Sequence, residues 1–288
     1  LIIDLQYGTG WDMLTDGALE QVDEFSVKGQ RFSRGWANDQ RVFFYTTFSK
    51  EIEDFQILKE NEKQGTVTAL IEFEGNGELL AKTALSPVST DGAKANMAAE
   101  IEHWNFTQVQ NIAKEKWNNE LSKIEVNTDE TEDLRTFYTA LYHTMVAPSL
   151  FNDVNGDYCG ADREVHQNPG HETYTTLSLW DTYRAAHPLF TLVQQERVND
   201  FINTMLDIYK QQGKLPIWHL HGNETNTMVG YSAVPVIADA YFKGFRGFDA
   251  ELAFEAMKTS ALLDERGLDY VKSQGFIPAD SQVESVAR

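Results

Sequence analysis

At 288 residues, 42% hydrophobic and 24% charged, the chain can bury a sizeable core, and no apolar run approaches the length of a membrane span. Its 44 acidic and 24 basic side chains leave a formal charge of −20, which argues against nucleic-acid binding, because that needs Lys and Arg to displace counterions. The single cysteine, Cys159, excludes an internal disulfide and a cysteine-based zinc site.

The first hundred residues read as β structure. Arg41 to Ser49 is an aromatic, threonine-rich strand segment. Val67, Ala69, Ile71 and Phe73 alternate with Thr66, Thr68, Leu70 and Glu72, the period of a half-buried strand. Gly75-Asn76-Gly77 interrupts this pattern and Leu79 to Ser86 resumes it, so a hairpin is expected across the glycines. An antiparallel β-sandwich is the expected architecture over residues 1–102.

The pattern changes near Ile101. Trp104, Gln108, Ile112 and Trp117 predict a helical linker within residues 103–127. Leu134, Phe137, Tyr138, Leu141, Tyr142 and Met145 form a helical apolar stripe, with Thr128 or Asp129 as its cap. A second stripe, Val198, Phe201, Ile202, Met205, Leu206 and Tyr209, stops at Gly213. Asp249 caps a further helix through Met257 and Ala261. Residues 128–288 therefore read as about five or six helices joined by loops, with no strand alternation.

Three loops in the helical half carry dense polar chemistry. Phe151 to Gly160 gathers Asn152, Asp153, Asn155 and Asp157 around Gly156, a spacing with some likeness to a calcium loop. The terminal glutamate and sixth-position glycine of such a loop are missing, and an Asx-rich turn is the plainer reading. In Tyr174 to Arg184, Trp180 beside Asp181 offers a ring face for sugar C–H groups and a carboxylate for hydroxyls. The alternative there is a core tryptophan with Asp181 paired to Arg184.

The third loop, Leu215 to Tyr231, packs His219, His221, Glu224, Asn223 and Asn226 between apolar segments. Buried polar groups need partners, so this density marks a site. His-x-His-x-x-Glu is a weak zinc signature. His219 reads better as a satisfied wall residue, and Glu224 as a carboxylate held by neighbouring amides.

The run TTLSLWDTYRAAHPLFTLVQQERVNDFINTMLDIYKQQGKLPIWHLHGNETNTMVGYSAVPVIADAYFKG resembles the catalytic region of glycoside hydrolase family 92. SRGWANDQRVFFYTTFSK resembles a strand segment of that family's N-terminal domain, and IPADSQVESVAR another family segment. The resemblance implies an N-terminal antiparallel β-sandwich, a helical linker and part of an (α/α)6 barrel. It also implies a calcium-dependent, exo-acting α-mannosidase, α-1,2-mannosidase-like and inverting, of a kind common in bacteria and acting on mannose-containing glycans. Such enzymes are secreted, periplasmic or on the cell surface.

The family's acid lies in a Glu-Gly-Asn-Ala-Trp segment and its base in a Gly-Asn-Asp-Asp segment. Glu74-Gly75-Asn76 is followed by Gly77-Glu78, and Gly-Asn-Asp-Asp does not occur. The chain therefore resembles roughly the first half of such an enzyme, with acid, base and much of the calcium shell expected in a missing C-terminal part. On this reading Trp180 and Asp181 contact mannose. His221, Glu224 and Asn226 are further pocket residues, while Trp36 with Asn38, and Glu284, are more remote candidates. The competing readings are a non-catalytic sugar-binding or structural fragment, and a different helical-barrel glycosidase using Glu224 as its acid.

Overall fold

The computed structural model describes residues 1–8, 10–61 and 63–281, and divides them into two compact units. The first comprises Leu1–Trp117 with two later segments, Phe151–Cys159 and Val165–Gly170. The second comprises Asn118–Leu150, Gly160–Glu164 and the chain from His171 onward.

Seven strands build the first unit: β1 (Ile2–Asp4), β2 (Met13–Asp23), β3 (Ser26–Arg34), β4 (Gln40–Phe48), β5 (Ile52–Asn61), β6 (Gly65–Phe73) and β7 (Ala81–Ser86). Along the sheet they run β1-β6-β2-β3-β4-β7, with β5 also on β6. All pairs are antiparallel except β2 with β6, which meet through the single parallel bridge Gly17–Gly65. There the Gly17 N–H donates to the Gln64 carbonyl at 2.7 Å, and a Cβ on Gly65 would lie 2.2 Å from the Gly17 carbonyl oxygen.

One core forms across this junction: Ala69 and Ile71 of β6 pack with Leu14 and Leu19 of β2, Val27 of β3, and Phe44 and Phe48 of β4. The two leaves thus share one apolar interior, as the alternation at Ala69 and Ile71 predicts.

The expected hairpin between the strands flanking Gly75-Asn76-Gly77 does not form. β6 pairs with β5, whereas β7 pairs with β4 from Phe43↔Ser86 to Phe48↔Ala81. Residues 74–80, with Gly75 and Gly77 left-handed, are a crossing loop that lets β7 cover an edge β4 would otherwise leave open.

Helix α1 (Thr90–Glu100) also departs from an all-β reading of this region. The Ser89 hydroxyl oxygen accepts from Gly92 N–H at its start, and Ala93 and Met97 bury against Tyr45 of β4. The predicted linker helix is present as α2 (Phe106–Leu121), an element with no fully buried side chain.

The rest of the chain forms α3 (Thr131–Thr144), the short strands β8 (Ser149–Leu150), β9 (Tyr158–Cys159), β10 (Val165–His166), β11 (Tyr174–Thr175) and β12 (Leu177–Ser178), and helices α4 (Leu179–Thr182), α5 (Ala186–Val193) and α6 (Gln195–Gln212). Strands β13 (Trp218–Leu220) and β14 (Asn223–Glu224) and helices α7 (Ala233–Phe242), α8 (Ala250–Ala261) and α9 (Leu268–Gln274) follow. Neither Thr128 nor Asp129 caps α3, whose N-cap is Glu130; the Thr128 hydroxyl instead accepts from the Glu130 N–H at 3.2 Å, one turn earlier.

Helix α6 is the spine of the second unit. Its Val198, Phe201, Ile202, Met205 and Leu206 bury against Phe190 of α5, Val236 and Ile237 of α7, and Ala253 and Ala256 of α8. It ends at Gly213 (φ 80°), whose left-handed backbone carries the closing N–H bond to Tyr209 O. Asp249 caps α8 through bonds from Glu251 and Leu252 N–H, contributing about 1 kcal/mol. The five short strands that the described residues of the second unit carry among their helices were not legible, because two or three residues cannot display a strand period.

Candidate functional site

After Gly213, buried Leu215 and Ile217 carry the chain into β13, the middle strand of a three-stranded sheet ordered β12-β13-β14. Leu220 faces Asn223, so His221 and Gly222 form a two-residue hairpin turn with φ of 48° and 74°. Positive φ at both central positions matches the twist of the flanking strands. The turn is pinned: His221 N–H donates to Thr175 Oγ1 at 2.6 Å, and its carbonyl accepts from Arg163 at 3.0 Å and Asn223 Nδ2 at 2.8 Å.

Glu224, on β14, closes the hairpin from inside. Its Oε2 accepts from Ile217 N–H at 2.8 Å, and its Oε1 from Trp218 N–H at 3.0 Å and Asn226 N–H at 2.8 Å. Both oxygens are therefore committed to backbone donors, and a proton on either would meet an N–H head-on. This geometry fits the amide-held carboxylate expected from sequence and does not fit a general acid at Glu224.

The other edge of the sheet presents the expected sugar-binding pair. Thr176, a β-branched residue at φ 60°, leads into β12, which passes through Ser178 into α4. Ser178 Oγ donates to Asp181 Oδ2 at 2.5 Å, leaving the Asp181 side chain exposed with one face held. Arg184 does not pair with Asp181; its guanidinium lies 4.5 Å over the half-buried Trp180 ring and 4.7 Å over Tyr183. A planar cation on a ring face fixes the indole and keeps its apolar surface flat.

Backbone strain converges on this sheet. Among the described residues the non-glycine positions with positive φ are Arg163, Thr176, His221, Asn226, Met228 and Arg266. Arg163 bonds the His221 carbonyl, Thr176 enters β12, and Arg266 bonds the carbonyls of Asn226 and Met228. Each such residue costs on the order of 1–3 kcal/mol, and such costs persist at functional sites where surroundings over-determine the backbone.

His219, on the middle strand β13, is 3% exposed, and among the described residues neither ring nitrogen has a hydrogen-bond partner. It is buried but not satisfied, contrary to the expectation of a satisfied residue. Burial, aided by the positive charges of His221 and Arg163, pushes its pKa down to about 3. His187 of α5, edge-on to Phe190 and Phe201, is pushed down to about 4 by burial.

Both imidazoles are neutral when folded, whereas an unfolded histidine binds a proton from pH 6.5 downward. Their stabilisation is complete above pH 6.5 and is lost progressively toward pH 4 and below, by roughly 2–4 kcal/mol for His187. Melting temperature should fall with acidification over that window, and His187→Leu should flatten the profile. An equally steep profile in that variant would remove His187 from the account.

The acidic loop is structural. Asp153, 2% exposed, accepts from Ser86 Oγ at 2.7 Å and Asn96 Nδ2 at 2.8 Å within the first unit, and burial raises its pKa. Asn155 and Asp157 bond each other in an Asx turn, and the Asp153 carbonyl accepts from Gly156 N–H. Among the described residues no three His, Cys, Asp or Glu side chains gather as a metal site. His219, His221 and Glu224 therefore do not gather as a metal-binding cluster.

Trp36 and Asn38 lie on the turn between β3 and β4 of the first unit, both exposed, with Trp36 at 43%. Glu284 lies outside the described residues. Arg163, Thr176, Met228 and Arg266 were not foreseen, since an arginine, threonine or methionine carries no sequence signal of a left-handed backbone.

The family model for the glycosyl hydrolase family 92 catalytic domain matches residues 92–288, and that for the family's N-terminal domain matches residues 1–86. A family GH92 α-mannosidase from Bacteroides thetaiotaomicron, solved alone and with mannoimidazole, superposes with a TM-score of 0.91 at 35% identity. The match to the former covers 99% of this chain and 41% of that one. A family GH92 inverting mannosidase from the same organism gives 0.84 at 27% identity, covering 96% of this chain and 40% of its own. An uncharacterized secreted glycosidase of Arthroderma benhamiae is 31% identical over 218 residues, 71% of this chain and 24% of that protein. The chain thus spans less than half the length of these relatives.

Proposed function

We propose that this chain, which belongs to glycosyl hydrolase family 92, supplies the β unit and part of the helical catalytic domain of an exo-acting α-mannosidase. The reaction proposed is release of terminal, α-1,2-linked mannose with inversion. The observation that carries this reading is the strained β12-β13-β14 sheet, which presents Trp180 and Asp181 at one edge in a chain superposing at 0.91 on a family α-mannosidase. Trp180 offers its flat ring to the C–H face of mannose, and Asp181 accepts hydrogen bonds from sugar hydroxyls. His221, Glu224 and Asn226 form the wall opposite, with Glu224 holding the wall's shape and not reacting.

Inversion needs one carboxylic acid and one carboxylate roughly 6.5–9.5 Å apart, with water between. No described residue is assigned either role; both are proposed to lie in polypeptide outside these 288 residues, together with the ligands of a calcium ion. Export to the cell surface, periplasm or medium is part of the same reading, supported by the secreted relative. Among the described residues no helix is long and apolar enough to cross a membrane.

The test is hydrolysis of α-1,2-mannobiose by the full-length enzyme followed by proton NMR. β-Mannose should appear first, and exhaustive chelation should abolish turnover until calcium is restored. α-Mannose appearing first would rule out inversion, and full activity after chelation would rule out the metal. Failure to hydrolyse any α-mannoside would overturn the whole reading.

A further inference from the structure

Arg266, in the turn between α8 and α9, reaches back across the sequence to the loop that follows Glu224. Its guanidinium donates to the Asn226 carbonyl at 3.0 Å and to the Met228 carbonyl, and approaches Asn226 Oδ1 at 3.4 Å. Lys214 Nζ donates to the same Asn226 Oδ1 at 3.1 Å and to Glu265 Oε1 at 2.8 Å. Asn226, Met228 and Arg266 all hold left-handed backbones, with φ of 52°, 68° and 58°.

A side chain bearing Cβ avoids that region unless something outside its own residue compensates. Here the compensation has a source. The rigid fork of a guanidinium can donate to two carbonyls at once, whereas an ammonium is a single point of charge. The effect then passes along the chain, because Asn226 N–H is one of the three donors on Glu224. Whatever fixes Asn226 also fixes the carboxylate that closes the β13–β14 hairpin.

We propose that Arg266 is a positioning residue of the sugar pocket: it latches residues 226–228 in their strained form and so holds the pocket wall in shape. It touches no sugar. The inference rests on the reading of this loop as a mannose-pocket wall, and adds to it the group that sets the wall's conformation.

The test uses the full-length enzyme with Arg266→Met, which keeps an unbranched apolar stem and removes every donor. Amide exchange over residues 225–231 should quicken by about tenfold or more while α6 stays protected. At the same time kcat/KM on α-1,2-mannobiose should fall by roughly 10–100-fold, mostly through KM. Met228→Gly added to that variant should recover part of the loss, because glycine adopts positive φ without help.

Arg266→Lys, which keeps the charge but loses the planar two-pronged fork and some of the reach, should fall between, and it serves the same measurements if Arg266→Met does not fold. Unchanged exchange at 225–231 would overturn the latch. Faster exchange with unchanged kinetics would overturn the positioning role. A wild-type enzyme that hydrolyses no α-mannoside, yet shows the exchange response, would sink the mannosidase reading and leave the latch standing.

Discussion

Alanine at Glu224 should loosen the β13–β14 hairpin by roughly 2–4 kcal/mol and lower kcat/KM by about 100-fold or more. Three backbone N–H groups, from Ile217, Trp218 and Asn226, lose their acceptor together. A hydrogen bond to a charged group is worth about 1.5–3 kcal/mol, and solvent entering this half-buried loop would recover part of the sum. Glutamine is the informative partner. Its carbonyl can still serve Trp218 and Asn226, while its amide would face the Ile217 N–H donor to donor. An intermediate loss follows, near 1–2 kcal/mol. Exchange rates at those three amides check the claim directly, and an alanine variant that leaves all three protected would show that Glu224 does not hold the loop.

The second large effect is expected at Asp181. Its side chain is exposed and its bond from Ser178 Oγ is local, so Asp181→Ala should leave the melting temperature almost unchanged. Turnover should nevertheless fall by about 10³-fold. On the proposed reading, the loss of two charge-assisted bonds to sugar hydroxyls would cost about 4 kcal/mol, which is that factor in rate. Asp181→Asn keeps one acceptor and should retain more activity. Wild-type kcat/KM in the alanine variant would remove Asp181 from the pocket; a collapsed melting temperature would recast it as structural.

What could be read from the letters was whatever a short stretch decides alone. The alternation at Ala69 and Ile71, the stripe from Val198 to Leu206, the stop at Gly213 and the cap at Asp249 are local devices, and each stands as expected. The partner of β7 is not local. Loop glycines at 75 and 77 fit a hairpin and a crossing loop equally well, and the open edge of β4 decides between them. Helix α1 was hidden because its alanines and glycine make no apolar stripe, although Ser89 is a serviceable cap.

The site divides in the same way. Trp180, Asp181 and Glu224 draw notice through the density of chemistry around them. Arg266 lies about forty residues from the carbonyls it holds, and only the folded backbone reveals why an arginine is needed there.

The Gly17–Gly65 junction has a consequence for how the β unit can vary. Its two leaves meet through bare backbone, with no room for even one methyl group at residue 65. Substitutions that repack the interior can be absorbed by shifting side chains on either leaf, but a carbon added at this point has only the opposing carbonyl to push against. Drift along the exposed face of β5 is cheap, whereas residue 65 is confined to a single letter of the alphabet.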